Sequence, residues 1–165
     1  MGKKSIKENK TIYHMYREEA GLTRASASEA LEFISESRLE KIENEKTPPH
    51  PEDILAMAKI YNKPELCNIY CSQICLLGQE YIPSVECKDL SQITLEMIVT
   101  LNKLSSEKDR LAEILVDGKI TPDELKDFKR INDDLDKMSL TIEALKLWVK
   151  KTIAANELDP SVLSE

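Results

Sequence analysis

The stretch "YREEAGLTRASASEALEFISESRLEKIENEKTPPHPEDILAMAKIYNKP", residues 16–64, decides the fold of the N-terminal part of the chain. It contains start and stop signals for several short helices. Gly21 suits the left-handed end of a first helix, and Thr23 and Ser35 suit the N-caps of a second and a third. Pro51 follows a proline-rich loop and suits the first turn of a fourth helix. These signals predict a small domain built from short helices.

The chain on either side of this stretch is also helical in pattern. The first helix is predicted to start at about Ile6, and a fifth helix is predicted in "ELCNIYCSQICLL" after Pro64. Few segments show the β-branched alternation of a half-buried strand, so the predicted class is all-α. The predicted parts are a helical domain at 6–78, a connector at 79–88, a helical hairpin at 89–156 for dimerisation or effector binding, and a frayed tail at 157–165.

Apolar residues of the C-terminal part repeat at alternating spacings of four and three, which is typical of the seam between two packed helices. The first predicted seam comprises Leu90, Thr94, Met97, Leu101, Leu104, Lys108, Leu111 and Leu115. The second comprises Phe128, Ile131, Leu135, Met138, Ile142, Leu145, Val149 and Thr152. Between them, Gly118 ends one helix and Thr121 with Glu124 forms a capping box for the next. The pattern predicts a long antiparallel hairpin.

Composition and charge exclude several classes of protein. The net charge of −7 argues against a nonspecific polyanion binder, because cationic contacts supply most nonspecific affinity for phosphates. Residues 1–46 hold nine basic and nine acidic side chains, whereas residues 81–165 hold twelve basic and seventeen acidic ones. No apolar run is long enough for a membrane span, and we expect a cytoplasmic protein. No catalytic or phosphate-loop motif is present, so we expect neither an enzyme nor a cofactor.

The order of elements in residues 16–64 resembles the lambda-repressor-like, or Xre-type, helix-turn-helix domain. The shared features are an Arg-containing first helix, "AGLT", a short second helix, a helix ending in "IEN-K", a proline-rich loop and "LAMAKIY". A Cys-bearing helix that leads into a helical tail resembles a bacterial group of such regulators. The resemblance implies a sequence-specific transcriptional regulator of bacterial or phage type that binds double-stranded DNA. The helix at 35–44 would then enter the major groove.

The resemblance also implies roles for individual residues. Arg24 falls at the phosphate-contacting position that follows the cap Thr23. Asn44 and Lys46 fall where the family contacts the far phosphates, and Arg17 and Glu43 fall where it forms a buried ion pair. The positions that read base edges are Glu36, Ser37 and Lys41, whose side chains can each bond a base edge. The expected DNA-binding set is Thr23, Arg24, Ser35, Glu36, Ser37, Arg38, Lys41, Asn44 and Lys46.

Two departures from the family pattern support a second interpretation. The turn "LEFIS" lacks the usual Gly and is interpreted as one residue longer than the family's four-residue connection. The third helix and its exit also carry several acids, including Glu40 and Glu45. A fold does not fix a function, so the alternative is a protein-interaction adaptor that keeps the scaffold without strong DNA binding.

Cys67, Cys71 and Cys75 follow one another at i, i+4 and i+8, which would place them on one face of a single helix. Three thiolates in a row are candidates for a soft metal or an iron–sulfur cluster. No CxxC pair accompanies them, and buried Cys is common in cores, so we predict no metal and interpret the stripe as core.

The last predicted helix carries more apolar residues than one seam needs. Leu140, Ala144, Leu147 and Trp148 form a second stripe beside the first. Because a two-helix hairpin buries only one face of each helix, this stripe has to pack elsewhere in the chain or on a second copy. A homodimer through the C-terminal helices would match the palindromic operators that two helix-turn-helix domains read.

Overall fold

The computed structural model describes residues 10–159 and Ser161. Every regular element within these residues is a helix, which confirms the all-α class. The helices are α1 (Ile12–Glu19), α2 (Arg24–Leu31), α3 (Glu36–Glu43), α4 (Pro51–Ile60), α5 (Glu65–Gln73), α6 (Leu76–Tyr81), α7 (Leu90–Leu115) and α8 (Leu125–Ala154). None of these described helices combines the length and the apolar character that crossing a membrane requires.

The described chain forms two compact units. The first contains the residues up to Ser84 together with those from Lys150 onward, and the second is Val85–Val149. The last residues of α8 therefore belong to the first unit, whereas the sequence assigned 89–156 to the hairpin. Within the first unit, Lys151 lies 3.4 Å from the Glu65 carboxylate, and the Asn62 amide donates to the carbonyl of Ala154.

The first unit is built around one apolar core that α1 to α5 share. Leu39 and Ile42, the predicted inward face of the third helix, are both fully buried there. The buried core residues are Tyr13, Ala27, Leu31, Ile34, Leu39, Ile42, Ile54, Met57, Ala58, Tyr61 and Leu66. This core fixes how α2 and α3 lie against each other.

The predicted helix ends are mostly confirmed. The hydroxyl of Thr23 accepts from the backbone N–H of Ser26 at 3.1 Å, and Gly21 takes a φ of 74° after α1. Pro51 is the first residue of α4. The first helix begins at Ile12 with Thr11 as its N-cap, so its predicted start is too early at residues 10 and 11. Ile6 itself lies outside the described residues.

The α2–α3 turn differs from its interpretation in the sequence. It consists of the four residues 32–35, so the extra residue assigned to it is wrong. Glu32 takes the place of the usual Gly with φ 58° and ψ −55°, and the N–H of Phe33 donates to the carbonyl of Leu31 at 2.6 Å. This is the geometry of a classic γ-turn, which is strained for a residue with a Cβ. The hydroxyl of Ser28 donates to the carbonyl of Ile34 at 2.7 Å and braces the turn.

The predicted fifth helix is interrupted. It ends at Gln73, and α6 starts at Leu76 inside what the sequence assigned partly to a connector. Gly78 explains the tight packing of α6 against α5, because a Cβ at this position would lie 2.0 Å from the carbonyl oxygen of Cys71.

In the second unit, α7 and α8 pack as the predicted antiparallel hairpin. Three ion pairs join them, and each step along α7 is matched by an opposite step along α8. These pairs are Lys103 with Asp134 at 3.9 Å, Glu107 with Arg130 at 2.7 Å and Arg110 with Asp127 at 2.9 Å. The predicted capping box forms only in part. The N–H of Thr121 donates to the Glu124 carboxylate at 3.0 Å, but the Thr121 hydroxyl donates to the same carboxylate at 2.6 Å, and the N–H of Glu124 donates to the backbone carbonyl of Thr121.

The predicted seam of the hairpin is partly wrong in register. On α7 the fully buried residues are Ile93, Thr100 and Ile114, each one position before a predicted seam residue. On α8, Ile131 is buried as predicted, whereas Asp134 and Thr141 are buried one position before the predicted seam residues. The predicted members Leu90, Leu101, Leu115, Leu135 and Ile142 are 42%, 52%, 50%, 44% and 39% exposed, respectively. The contact line therefore combines Ile93, Ile114 and Ile131 with the smaller or polar Thr100, Asp134 and Thr141, and several of the predicted apolar seam residues lie beside it.

The second apolar stripe of α8 is largely covered within a single chain. Ala144 and Leu147 are buried and Trp148 is half-buried, whereas Leu140 remains 37% exposed. Packing inside one chain therefore accounts for most of this stripe.

Candidate nucleic-acid interface

The outward face of α3 is the natural candidate for a nucleic-acid interface. Its inner positions are fixed in the core, so the remaining positions point together toward solvent. Buried on the inner side are Leu39, Ile42 and Glu43. On the outer side, Glu36, Ser37, Glu40 and Lys41 are exposed and Asn44 is half-buried at the end of the helix. The helix thus presents a polar strip about two turns long.

Arg17 and Glu43 form a buried ion pair that ties α1 to α3. The Nε of Arg17 donates to Oε1 of Glu43, and its Nη2 donates to Oε2 at 3.0 Å. The remaining Nη1 of Arg17 donates to the carbonyl of Leu22 at 2.7 Å. Both side chains are almost fully buried. Glu43 is therefore part of the scaffold and adds no acid to the outer face.

Arg24 also contacts Glu43, which the sequence did not indicate. Its Nε donates to Oε2 of Glu43 at 2.8 Å, while its guanidinium remains partly exposed at the start of α2. Burial by itself would raise the pKa of Glu43, but the hydrogen bonds from Arg17 and Arg24 outweigh it, and the pKa is lowered. The charged carboxylate of Glu43 therefore holds the Arg24 side chain beside α3 and restricts its rotamers.

Arg38 belongs to a second structural ion pair. Its Nη2 lies 2.5 Å from Oδ2 of Asp53, and the same oxygen accepts from the N–H of His50 at 2.8 Å. Asp53 is buried near the start of α4. Arg38 therefore connects α3 to α4, although the sequence placed it in the DNA-binding set.

The other residues of that set lie at the ends of α2 and α3. The hydroxyl of Ser35 accepts from the N–H of Arg38 at 3.3 Å, so Ser35, like Thr23, acts as an N-cap. The Asn44 side chain donates to the carbonyl of Glu40 at 2.8 Å. Past the helix, the N–H of Lys46 donates to the carbonyl of Lys41 at 2.8 Å in a Schellman-type turn. This turn keeps the backbone of Lys46 next to the last turn of α3.

The charge of the interface follows from these contacts. Arg24 and Arg38 form ion pairs with the buried carboxylates of Glu43 and Asp53, respectively. Within residues 10–159, neither Lys41 nor Lys46 forms an ion pair. Glu36 and Glu40 remain on the outer face, and Glu40 lies 4.0 Å from a guanidinium nitrogen of Arg24. The face is therefore close to neutral, with two unpaired lysines near the C-terminal end of α3.

Two buried residues near this face were missed in the sequence. Asp53 could have been found, because an acid three residues after an N-cap position is the signature of a capping box. His14 gave no such signal. Its ring contacts Glu18 at 3.1 Å and lies 3.8 Å from Glu43, so it completes the polar cluster under α3.

The cysteine stripe is not continuous on one helix. Cys67 and Cys71 lie on α5, but Cys75 lies beyond its end as the N-cap residue of α6, so the prediction of a single face for all three is wrong. All three are half-buried, and burial raises the pKa of the Cys67 thiol. In the described part of the chain, no group of three or more His, Cys, Asp or Glu side chains is arranged to hold a metal ion.

Comparison with known families identifies the same segment. Residues 14–65 match the family model described as "Helix-turn-helix domain", which covers about a third of the chain. No curated protein and no solved structure matches the chain. The segment from α1 to the start of α5 is thus similar to a helix-turn-helix domain, and such a domain suggests a DNA-binding regulator in general.

Proposed function

We propose that the chain is a sequence-specific, Xre-type transcriptional regulator of bacterial or phage origin that acts in the cytoplasm. In this proposal α3 enters the major groove and the C-terminal helices join two copies. Ser37 and Lys41 read base edges, and Glu36 accepts from a cytosine amino group. Arg24, Asn44 and Lys46 contact phosphates on either side.

The observation that carries the proposal is the arrangement of α3. One side of this helix is locked into the core through Leu39, Ile42 and the Glu43 carboxylate, and the opposite side holds exposed groups that can donate or accept. A rigid helix that presents such a strip after a braced four-residue turn can follow the major groove. Arg24 and the turn at Lys46 lie at the two ends of the same strip.

The near-neutral charge of this face favours a second candidate function. Both arginines are engaged by carboxylates, and Glu36 and Glu40 would face phosphates or base edges. A protein-interaction adaptor on the same scaffold would not need more free cations. The adaptor and the regulator therefore predict different behaviour with nucleic acid at low salt.

A salt titration separates the two functions. The full-length protein is first offered a random duplex library, and the selected duplex and a scrambled one are then titrated between about 50 and 200 mM salt, a range over which phosphate contacts weaken markedly. A regulator keeps a preferred site and loses affinity as salt rises. With only a few cations per copy, we expect a shallower slope than that of strongly basic readers. No binding of either duplex at low salt would reject the regulator and favour the adaptor.

A further inference from the structure

A surface groove lies between the end of α2 and the outer face of α4. Its volume of about 350 Å³ falls within the range of small binding sites. Ala30 and Phe33 line it from α2 and the turn that follows, and Leu55, Ala56 and Ile60 line it from α4. None of its described lining residues lies on α3. We call it the α2–α4 groove.

The large apolar side chains of this groove are exposed to solvent. Phe33 is 61% exposed, Leu55 55% and Ile60 38%. Single exposed apolar residues are ordinary on a protein surface, but here three of them line one cavity. The opposite face of α4 already packs into the core through Ile54 and Met57, so the core does not need these three. A cluster of this kind is typical of a surface that binds a partner.

The backbone of Phe33 is held in place by the α2–α3 turn. Its N–H donates to the carbonyl of Leu31 at 2.6 Å, and the hydroxyl of Ser28 donates to the carbonyl of the next residue, Ile34. The positive φ of Glu32 makes this turn strained, and strained backbone is often found at binding sites. A partner that packs on Phe33 therefore has less chain to order, which favours binding.

The charge around the groove is mostly negative. Glu32 and Glu52 line it, and Glu29 is exposed within the last turn of α2. None of these three acids forms an ion pair within residues 10–159. The last turn of α2 has no basic residue, so the C-terminal end of its dipole adds to the negative charge. Lys59 is the one cation among the described lining residues, and the groove therefore favours a basic partner.

We propose that the α2–α4 groove binds a short amphipathic helix of a partner protein that carries two large apolar side chains one turn apart and a net positive charge. The groove follows α4 from Glu52 to Ile60, which is about 12 Å or about two helical turns. Two turns accommodate two apolar anchors at i and i+3 or i+4, the pattern of helices that bind in apolar grooves. Basic residues beside the anchors then face Glu32, Glu52 and the end of α2.

The groove and the candidate nucleic-acid interface use different parts of α2. Arg24 begins this helix and Leu31 ends it, about 10 Å further along the axis. Arg24 and the outward strip of α3 are both outside the groove lining. The partner site is therefore additional to the proposed function and does not depend on DNA binding.

The first test selects the partner sequence without assuming it. A phage-displayed library of helical peptides of about twelve residues, or about three turns, is selected on the full-length protein at low salt. The selected peptides should carry two large apolar residues at i and i+3 or i+4, and more Lys and Arg than Asp and Glu. Selection of acidic peptides, or of no peptide, would overturn the proposal.

The second test places the selected peptide in the groove. Fluorescence anisotropy of the labelled synthetic peptide compares wild type with Leu55→Ser and Phe33→Ser, each of which should weaken binding about 10-fold or more because it removes an apolar contact. Leu76→Ser is the matched control, since Leu76 is an 84% exposed leucine of α6 outside the groove, and it should bind as wild type does. Circular dichroism checks that each variant keeps its helicity.

A charge variant tests the choice of a basic partner. Glu52→Gln should weaken binding of the same peptide by a smaller factor, and binding to wild type should fall as salt rises because the acids are exposed. Glu80→Gln on α6 is its control. Equal losses in Leu55→Ser and Leu76→Ser, or groove variants that bind as wild type does, would place the peptide elsewhere and overturn the proposal.

Discussion

The first unit and the α7–α8 hairpin differ in which side chains they bury. In the first unit the large apolar residues meet in one core, and the buried charges are matched by partners, as with Arg17 and Glu43. In the hairpin, three buried isoleucines share the contact line with Thr100, Thr141 and Asp134, while Leu101 and Leu135 stay exposed. An apolar repeat in the sequence therefore indicates which residues favour burial. It does not indicate whether they are buried against another part of the same chain.

The largest effect is expected from breaking the buried ion pair of the first unit. Glu43→Gln leaves the Arg17 guanidinium buried without a counter-charge, so the free energy of unfolding should fall by about 3–5 kcal/mol. Denaturant unfolding followed by circular dichroism measures this loss. Glu40→Gln is the control, because Glu40 is exposed on the same helix and should change stability little. Equal effects of the two substitutions would contradict the structural role of Glu43.

The same pair predicts a pH dependence. The pKa of Glu43 is lowered in the folded protein, so its stabilising contribution is complete above the ordinary carboxyl pKa of about 4.3 and is lost as the pH falls below it. The difference in stability between wild type and Glu43→Gln should therefore shrink as the pH is lowered from 6 toward 3, in denaturant titrations at each pH. If the stability difference between wild type and Glu43→Gln stayed constant with pH, the negative charge of Glu43 would not be the source of its stabilising effect.

The next effect concerns the close packing of α5 and α6. Gly78→Ala forces a methyl group against the backbone of Cys71, and overpacking of this kind costs about 1–3 kcal/mol. Glu80→Ala on the exposed side of α6 is the control. Thermal unfolding of both variants measures the difference, and a neutral Gly78→Ala would mean that α6 is free to move away from α5.

A smaller effect of opposite sign is expected at the α2–α3 turn. Glu32→Gly relieves a positive φ that a residue with a Cβ adopts only under strain, so stability should rise by about 1 kcal/mol. Glu29→Gly, within the last turn of α2, should instead lower stability by up to about 1 kcal/mol. The two variants are compared by chemical denaturation, and a loss of stability with Glu32→Gly would contradict the turn geometry.

The smallest effect is expected in the seam of the hairpin. The hydroxyl of Thr141 donates to the carbonyl of Lys137 at 2.9 Å, within its own helix. Thr141→Val keeps the shape of the side chain and strands no partner, so its effect should stay within about 1 kcal/mol. A loss as large as that of Glu43→Gln, measured under the same conditions, would show that the hairpin depends on its polar seam as the first unit depends on its ion pair.

Much of the first unit could be predicted from local signals. The caps Thr23 and Ser35, the end signal Gly21 and the position of Pro51 act within one turn of a helix, so a single sequence is enough to recognise them. The resemblance supplied the positions of the candidate interface. The partners of Arg24 and Arg38 could not be found in this way, because Glu43 and Asp53 approach them only after the helices pack.

The hairpin and the α5–α6 region show what local patterns leave open. Positions 100 and 101, or 141 and 142, differ by one step around the helix, and the choice between them depends on which flank the partner helix covers. The sequence favoured the more apolar residue of each pair, and the structure buries the other one. Similarly, nothing local to Ile74 and Cys75 indicated the break, and the absence of a side chain at Gly78 then allows α6 to lie close to α5.

The proposal that the outer face of α3 reads DNA is tested most directly at Lys41. Fluorescence anisotropy on the selected duplex compares wild type with Lys41→Glu and with Lys59→Glu, an exposed lysine of α4 that undergoes the same charge change. Lys41→Glu should weaken binding at least about 30-fold, as expected for a lost base contact in each of two domains, with unfolding unchanged. Lys59→Glu should retain most of the affinity. Equal binding by wild type and Lys41→Glu, or equal losses in both variants, would contradict the assignment of α3 as the reading helix.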